Sequence, residues 1–321
     1  MTCEARDSGL CPEVYTFYTT SKNGCQYPLV KNVAELVLFS KMLLNTQKYS
    51  RILNIKIQII RLIESEVNVE FVCSTFMNKF TGLVRRCVED YEMITDGETI
   101  AVGVSGGKDS IAMLCSLADL RGYYPKRFEL HAVTLDMGFP GADFEPVGRL
   151  CGELGVPYTL KQTDIARVVF DERREKNPCS LCAKMRRGAL NDIISGLGIK
   201  KIALAHHFDD AIETFLMSLL YEGRISCFQP VTYMDRAETT QIRPLLYVGE
   251  GTIIRLVEKY GLPVVHNPCP MNGASKREEI KTLLKTLSAE YPDLRSKLFG
   301  AMQRLPIEGW KPTKYARRPL S

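Results

Sequence analysis

At 321 residues, with 45% hydrophobic and 25% charged side chains, the sequence has the composition of a soluble globular protein, with room for one large domain plus appendages or for two domains. Its formal charge of +5 permits a nucleic-acid partner without demanding one; no apolar run approaches a membrane span and no signal pattern opens the chain, so a cytoplasmic protein with no membrane partner is expected. Eleven cysteines, an odd number in a chain long enough to build a core without disulfides, point to some ligands or catalysts among a majority of small buried hydrophobes.

Residues 1–76 begin irregularly and turn isoleucine- and leucine-rich from about Val33 to Val72. Ile52, Ile55, Ile59 and Ile63 suit a helix face, whereas Leu53, Ile55, Ile57 and Ile59 suit a strand, so periodicity does not decide between them. No motif marks this N-terminal extension. Met77–Cys87 reads as an amphipathic helix entering a first core strand, Thr99–Val104. That strand runs into Ser105-Gly106-Gly107-Lys108-Asp109-Ser110, and an apolar helix opens at once with Ile111-Ala112-Met113-Leu114. Bare backbone N–H groups and the positive end of a helix dipole meet there, which makes an anion site. The stretch is one residue too short for G-x-x-x-x-G-K-[ST], with Asp109 where the magnesium-binding hydroxyl would be, and Ser105 breaks G-x-G-x-x-G. What remains is similar to the pyrophosphate loop of the ATP pyrophosphatase superfamily, whose enzymes split ATP to AMP and pyrophosphate while adenylating a carbonyl oxygen.

Strand-like text follows at Glu129–Leu135, Tyr158–Leu160, Lys201–Ala205 and Gln241–Pro244, with helices at 109–121, 144–154, 183–197, 208–221 and 250–260. This alternation predicts an α/β fold, a doubly wound parallel sheet with ligands beyond the carboxyl ends of its strands, and the loop's resemblance implies that it is of the PP-loop ATP pyrophosphatase type. The glycine loop, Asp136 and His206-His207 all fall at such ends, so they are expected in one pocket. Three parts follow: an extension over 1–76, a catalytic domain over 77–262, and a C-terminal segment over 263–321 that holds a cysteine-bearing loop, a charged helix from about Ser275 and a basic tail of Lys311, Lys314, Arg317 and Arg318.

Two further constellations carry chemistry. In His206-His207-Phe208-Asp209-Asp210-Ala211-Ile212-Glu213-Thr214 the acids sit three and four apart on one helix face. Alone they describe a capped, solvated helix start; beside a phosphate loop they offer the oxygens that magnesium needs. Cys179 and Cys182, followed by Lys184, Arg186 and Arg187, form a C-x-x-C without a second such pair. Cys269, in Asn267-Pro268-Cys269-Pro270, is the completing ligand that the sequence offers. Three thiolates suit a [4Fe–4S] cluster with one iron left open; a redox or zinc pair is the other reading.

In this order and spacing the three constellations resemble the TtcA family of tRNA 2-thiocytidine synthetases over roughly residues 77–305. The likeness extends to Ile242-Arg243-Pro244-Leu245 and Ala301-Met302-Gln303 and departs at Asn272, where members often carry a further cysteine. The resemblance implies thiolation of cytidine-32 in the tRNA anticodon loop with ATP, Mg2+ and a [4Fe–4S] cluster on Cys179, Cys182 and Cys269. It implies phosphates against Ser105, Gly106, Gly107 and Ser110, magnesium placed by Asp109 and Asp210, and charge neutralised by Lys108. Adenine is expected near Val104 and Asp136. Arg243 is placed either on the developing charge or as a brace of its strand end. A sulfur donor such as a cysteine desulfurase is implied as a partner, and since members commonly dimerise a homodimer is an open option. The rivals are a related 2-thiouridine or lysidine enzyme and a non-catalytic metal-containing RNA-binding protein.

Overall fold

The computed structural model describes residues 18–20, 26–28, 75–173, 178–266, 268–271, 276–304 and 308–310. The helix-or-strand question at Val33–Val72, Asn267, Asn272 and the basic tail lie outside these residues. The chain divides into two compact units, Met1–Glu64 and Ser65–Ser321. In the first, β1 (Tyr18–Thr20) and β2 (Gln26–Pro28) pair antiparallel.

The second unit is built on a six-stranded sheet in the order β5-β4-β3-β6-β8-β7. Its strands are β3 (Glu98–Gly103), β4 (Phe128–Asp136), β5 (Tyr158–Gln162), β6 (Lys201–Ala203), β7 (Val231–Met234) and β8 (Thr239–Ile242). All neighbours pair parallel except β7, which runs antiparallel to β8 as an edge that the sequence reading did not foresee. From β3 the chain winds outward through β4 to β5, then returns to place β6 on β3's other side, with Ala101 opposite both His131 and Ile202. The strand order therefore reverses between β3 and β6, and the crevice above their carboxyl ends is where an open sheet binds its ligand.

The two faces of the sheet are covered unequally. Strand alternation sends Ile100, Val102, Leu130 and Ala132 into the main core. That core is shared with α1 (Thr75–Asp90), α2 (Lys108–Arg121), α3 (Glu145–Glu153), α5 (Phe208–Glu222) and α6 (Glu250–Tyr260). The C-terminal helices α7 (Lys276–Glu290) and α8 (Leu294–Arg304) join it through Ile280, Leu284, Phe299 and Met302. Helix α2 is buried all round, as expected of a central helix with no polar stripe. The opposite face holds only a small core of Ala101, Val133, Ile194, Ile199 and Ile202. It is covered by α4 (Pro178–Gly196), whose sole buried residue is Ile194 near its C-terminal end. The N-terminal end of α4 thus projects from the sheet. Predicted to start at Ala183, this helix starts at Pro178, because proline is preorganised for the first helical position and lacks the N–H that would be orphaned there. Cys179 and Cys182 consequently stand in its first turn. No described helix is long and apolar enough to cross a membrane.

Candidate active site

After β3, Val104 still pairs with the sheet, donating to Val133 O at 2.8 Å and accepting from the Thr134 hydroxyl at 2.7 Å. The backbone then turns through Ser105-Gly106-Gly107 into α2, whose first bond runs from Ile111 N to Gly107 O. Earlier N–H groups at a helix start point outward, toward a ligand. Ser110 braces the turn from inside: its hydroxyl accepts from Ser105 N at 3.1 Å, donates to Gly107 O at 2.9 Å and lies 3.2 Å from Ser105 Oγ. Gly106 adopts φ +81°, where a side chain is strained, and a Cβ there would stand 2.8 Å from Val265 Cβ.

Lys108 lies 3.1 Å from Asp109 and 3.0 Å from Glu250 at the start of α6. Burial alone would pull its ammonium pKa down; the two carboxylates outweigh that and hold it up. Asp109 Oδ1 is buried and accepts no hydrogen bond, with the Lys108 ammonium at 3.1 Å and His207 Nε2 at 3.8 Å. A buried carboxylate oxygen without a hydrogen bond is costly unless something pairs with it, and a divalent cation held between this oxygen and nucleotide phosphates would do so.

The acids of α5 are differently occupied. His207 and Asp210 form a reciprocal cap, His207 N donating to Asp210 Oδ2 at 3.0 Å and Asp210 N to His207 Nδ1 at 3.4 Å. The other Asp210 oxygen accepts from Arg277 at 2.9 Å, so the residue expected to place magnesium has both oxygens engaged. Asp209 pairs with Arg295 and accepts from Glu250 N at 2.8 Å, capping α6. Glu213, 1% exposed, accepts from Arg277 at 3.2 Å. Burial pushes its carboxyl up to about 7 against the pull of Lys281 and Arg277. The sequence reading placed none of these cations: Arg277, Lys281 and Arg295 come from α7 and α8, distant in the chain, and nothing local distinguishes them from the other charges of a solvated helix.

Asp136 ends β4 and accepts from Gly138 N at 2.9 Å. It lines a groove with Phe144, Tyr158 and Gln162, and Phe144 in turn lies 3.4 Å from where a Gly106 Cβ would be. The groove thus begins beside the glycine turn. His206 stacks against Phe228 with ring centroids 4.9 Å apart, and burial together with Arg243 pulls its imidazole down to about 4, so it is neutral at physiological pH.

Arg243, for which two roles are open, has the contacts of a brace. The residue is 6% exposed and donates to Gln229 O, to Thr232 Oγ1 at 3.1 Å and to Gln241 Oε1 at 3.4 Å, with its guanidinium 5.0 Å above Phe228. It ties β8 to β7 and to the segment before β7. Because hydrogen bonds to charged groups contribute about 1.5–3 kcal/mol each and their buried acceptors would be left bare, Arg243→Ala should destabilise the protein by about 3 kcal/mol. Urea unfolding measures that loss; an unchanged midpoint with lost activity would return Arg243 to the chemistry.

Cys179 is exposed and Cys182 half-buried, three apart on one face of α4. Burial pushes the Cys182 thiol up; Arg186 opposes it, while Cys269 and Cys179 add to it, so both other thiols lie within its electrostatic reach. Among the described residues no three His, Cys, Asp or Glu side chains lie close enough to hold one metal ion. A four-iron cluster asks something different, since each cysteine binds its own iron and the thiols stand around the cluster. The donor set, three cysteines of which two share a projecting helix end, fits that group. Cys115 and Cys151 are fully buried as small hydrophobes, and Cys227 lies half-buried, its Sγ 3.4 Å from Ala211 O. Lys184, Arg186 and Arg187 are exposed on α4 beside the cysteine turn.

The PP-loop domain family matches residues 75–287. The chain is 40% identical over 225 residues to a tRNA-cytidine(32) 2-sulfurtransferase of Pelobacter propionicus, covering 69% of this chain and 84% of the relative. It is 38% identical to one of Geobacter sulfurreducens, covering 73% and 92%. Among solved structures it resembles the U34-tRNA thiolase NcsA from Methanococcus maripaludis with its [4Fe-4S] cluster, with a TM-score of 0.59, 25% identity, and coverage of 70% of this chain and 76% of that one.

Proposed function

We infer the reaction from one premise: the chain belongs to the PP-loop family, among the tRNA-cytidine(32) 2-sulfurtransferases. It is a sulfur-transferring enzyme that thiolates tRNA, binding ATP at its phosphate loop and using an iron–sulfur cluster. The substrate is cytidine-32 of the anticodon loop, and the chemistry is activation of its C2 carbonyl followed by replacement of the oxygen.

ATP lies with its phosphates on the Ser105–Gly107 turn and the N-terminus of α2, and its adenine in the groove lined by Phe144, Tyr158 and Asp136. Lys108 moves from Glu250 to the phosphates and neutralises charge as pyrophosphate departs. Asp109 would hold Mg2+ through Oδ1, which accepts no hydrogen bond and which Lys108 leaves for the phosphates; Asp210, with both oxygens engaged, keeps α5 capped and aimed. A cytidine turned out of a single-stranded loop presents its C2 oxygen to the α-phosphorus, as base chemistry in general requires an unstacked base. The new P–O bond forms as the bond to pyrophosphate breaks, which leaves an O-adenylated base. A sulfur nucleophile then bonds to C2, the C2–O bond breaks, and AMP carries the oxygen away. The contribution of Ser105, Lys108 and Asp109 is position and charge. A [4Fe–4S] cluster on Cys179, Cys182 and Cys269 would supply an iron with an open position for sulfur. Sulfur comes from a donor such as a cysteine desulfurase. Lys184, Arg186 and Arg187 hold tRNA phosphates, which supplies affinity rather than base selection.

The observation that carries this reading is the presence in one unit of an intact phosphate loop and a projecting helix end that bears two thiols, Cys179 and Cys182. The test is to incubate the anaerobically purified protein with tRNA, ATP, Mg2+ and sulfide, then digest the tRNA and identify its nucleosides by mass spectrometry. Expected are 2-thiocytidine and stoichiometric AMP. Thiouridine in its place would transfer the activity to the rival base, and no AMP at all would leave an RNA-binding protein.

A further inference from the structure

The segment that carries Cys269 is pinned on both sides to the nucleotide site. Before it, Val265 N donates to Gly106 O at 2.9 Å, and the Val265 side chain closes over Gly106 so tightly that a Cβ on that glycine would stand 2.8 Å from Val265 Cβ and 3.0 Å from Cγ2. After it, Arg277 Nη1 donates to Asp210 at 2.9 Å and to Glu213 at 3.2 Å, while Nη2 donates to Thr214 Oγ1 at 3.2 Å. Val265 is four residues from Cys269, so the cysteine lies within about 14 Å of Val265 by chain length alone. The two anchors grip the two motifs that define the ATP site, the glycine turn and the start of α5.

Resting on the reading above, we propose that Val265 and Arg277 are positioning residues that couple the nucleotide site to Cys269. The physical link at Val265 is the planar peptide between Gly106 and Gly107. Its C=O and N–H point in opposite directions, so a donor that fixes the Gly106 carbonyl also fixes the direction of the Gly107 N–H, which donates to Ser105 Oγ at 3.4 Å within the turn and exchanges that long bond for a phosphate oxygen. Phosphates that settle on the turn orient that peptide and therefore the Val265 backbone. Nucleotide that shifts the start of α5 loads the Arg277 clamp, which holds Asp210, Glu213 and Thr214 there. The coupling is reciprocal: whatever ATP does to the setting of Cys269, occupancy at Cys269 does to the affinity for ATP. Sulfur delivery would then wait for a bound nucleotide, which spares the reactive sulfur from sites with nothing to accept it.

The test uses the full chain freed of iron by anaerobic chelation and returned to buffer with Mg2+, with the α,β-methylene analogue of ATP as probe and iodoacetamide labelling of Cys269 followed by peptide mass spectrometry. Analogue affinity and the unfolding midpoint are measured on the same samples. In the wild type, saturating analogue should change the Cys269 labelling rate by about fivefold or more, the lower end of ordinary coupling between sites. In Val265→Pro, which removes the N–H that Gly106 O accepts from, and in Arg277→Gln, that change should shrink toward none at saturating analogue, with the unfolding midpoint showing both variants folded. If the analogue binds and leaves the wild-type labelling rate unchanged, or if the change persists undiminished in both variants, the coupling is overturned and the ATP reading stands. If the analogue does not bind the wild type, the ATP reading and the coupling fall together.

Discussion

Gly106→Ala should reduce affinity for ATP by about 100-fold or more and abolish AMP formation, with the protein still folded. Two costs add at this position. An alanine at φ +81° carries the left-handed penalty of about 1–2 kcal/mol, and the new methyl meets Val265 Cβ at 2.8 Å, an overpacking cost of about 1–3 kcal/mol. The turn relieves both only by abandoning the conformation that presents its N–H groups. Each 1.4 kcal/mol withheld from nucleotide binding is a factor of about ten, and the sum therefore reaches about 100-fold. Gly107 supplies the contrast within the same turn. Its backbone is in ordinary extended space, φ −72°, and a Cβ there would meet only Ser105 Oγ at 3.5 Å, so Gly107→Ala should cost far less. Calorimetric titration with the methylene analogue measures both variants, and thermal unfolding checks their integrity. Equal affinities for wild type and Gly106→Ala would remove the nucleotide from this loop.

The features readable in the sequence are those whose physics is local. The order of strand, glycine turn and apolar helix is written in consecutive residues, and the turn formed where it was expected. So is the His207–Asp210 cap, a three-residue relationship on one helix start. What the sequence did not disclose depends on residues brought together by the sheet. Asp209, Asp210 and Glu213 looked like free acids because Arg295 and Arg277 lie more than sixty positions downstream, on helices whose charge pattern is ordinary. Arg243 left two roles open because its partners, Gln229 and Thr232, sit on and before an edge strand too short to announce itself. Each of these contacts gives the residue a structural partner that no local pattern announces. That Asp109 Oδ1 is buried without a hydrogen bond was likewise invisible in the motif, since whether a buried carboxylate is satisfied is settled only by its neighbours.

The three cysteines admit a sharper division between the two halves of the reaction. Cys269→Ala and Cys182→Ala should each lose essentially all iron and all thiolation while binding the ATP analogue within a few-fold of wild type. A cluster with one open iron already gives up a protein ligand; with a second thiolate missing it is held by two bonds on a single helix turn, or by one there and one in the distant loop, and is lost to solvent and chelators. Nucleotide binding survives because the groups placed against ATP are the glycine turn, Lys108 and Asp109 and not the three thiols, although the Val265 link predicts a modest change in affinity rather than none. The wild type, purified anaerobically, should be brown with about four irons per chain. Cys151→Ala serves as the control, because that thiol is fully buried in the apolar core, away from the cysteine turn, and its loss should leave the iron in place. Iron and sulfide analysis with an absorption spectrum reads all four proteins. A colourless protein holding zinc, or a Cys269→Ala variant as brown as the wild type, would dissolve the three-cysteine site and leave the phosphate loop without its sulfur chemistry. The split outcome expected here, iron lost and nucleotide kept, would show activation and sulfur delivery to be separable tasks of one chain.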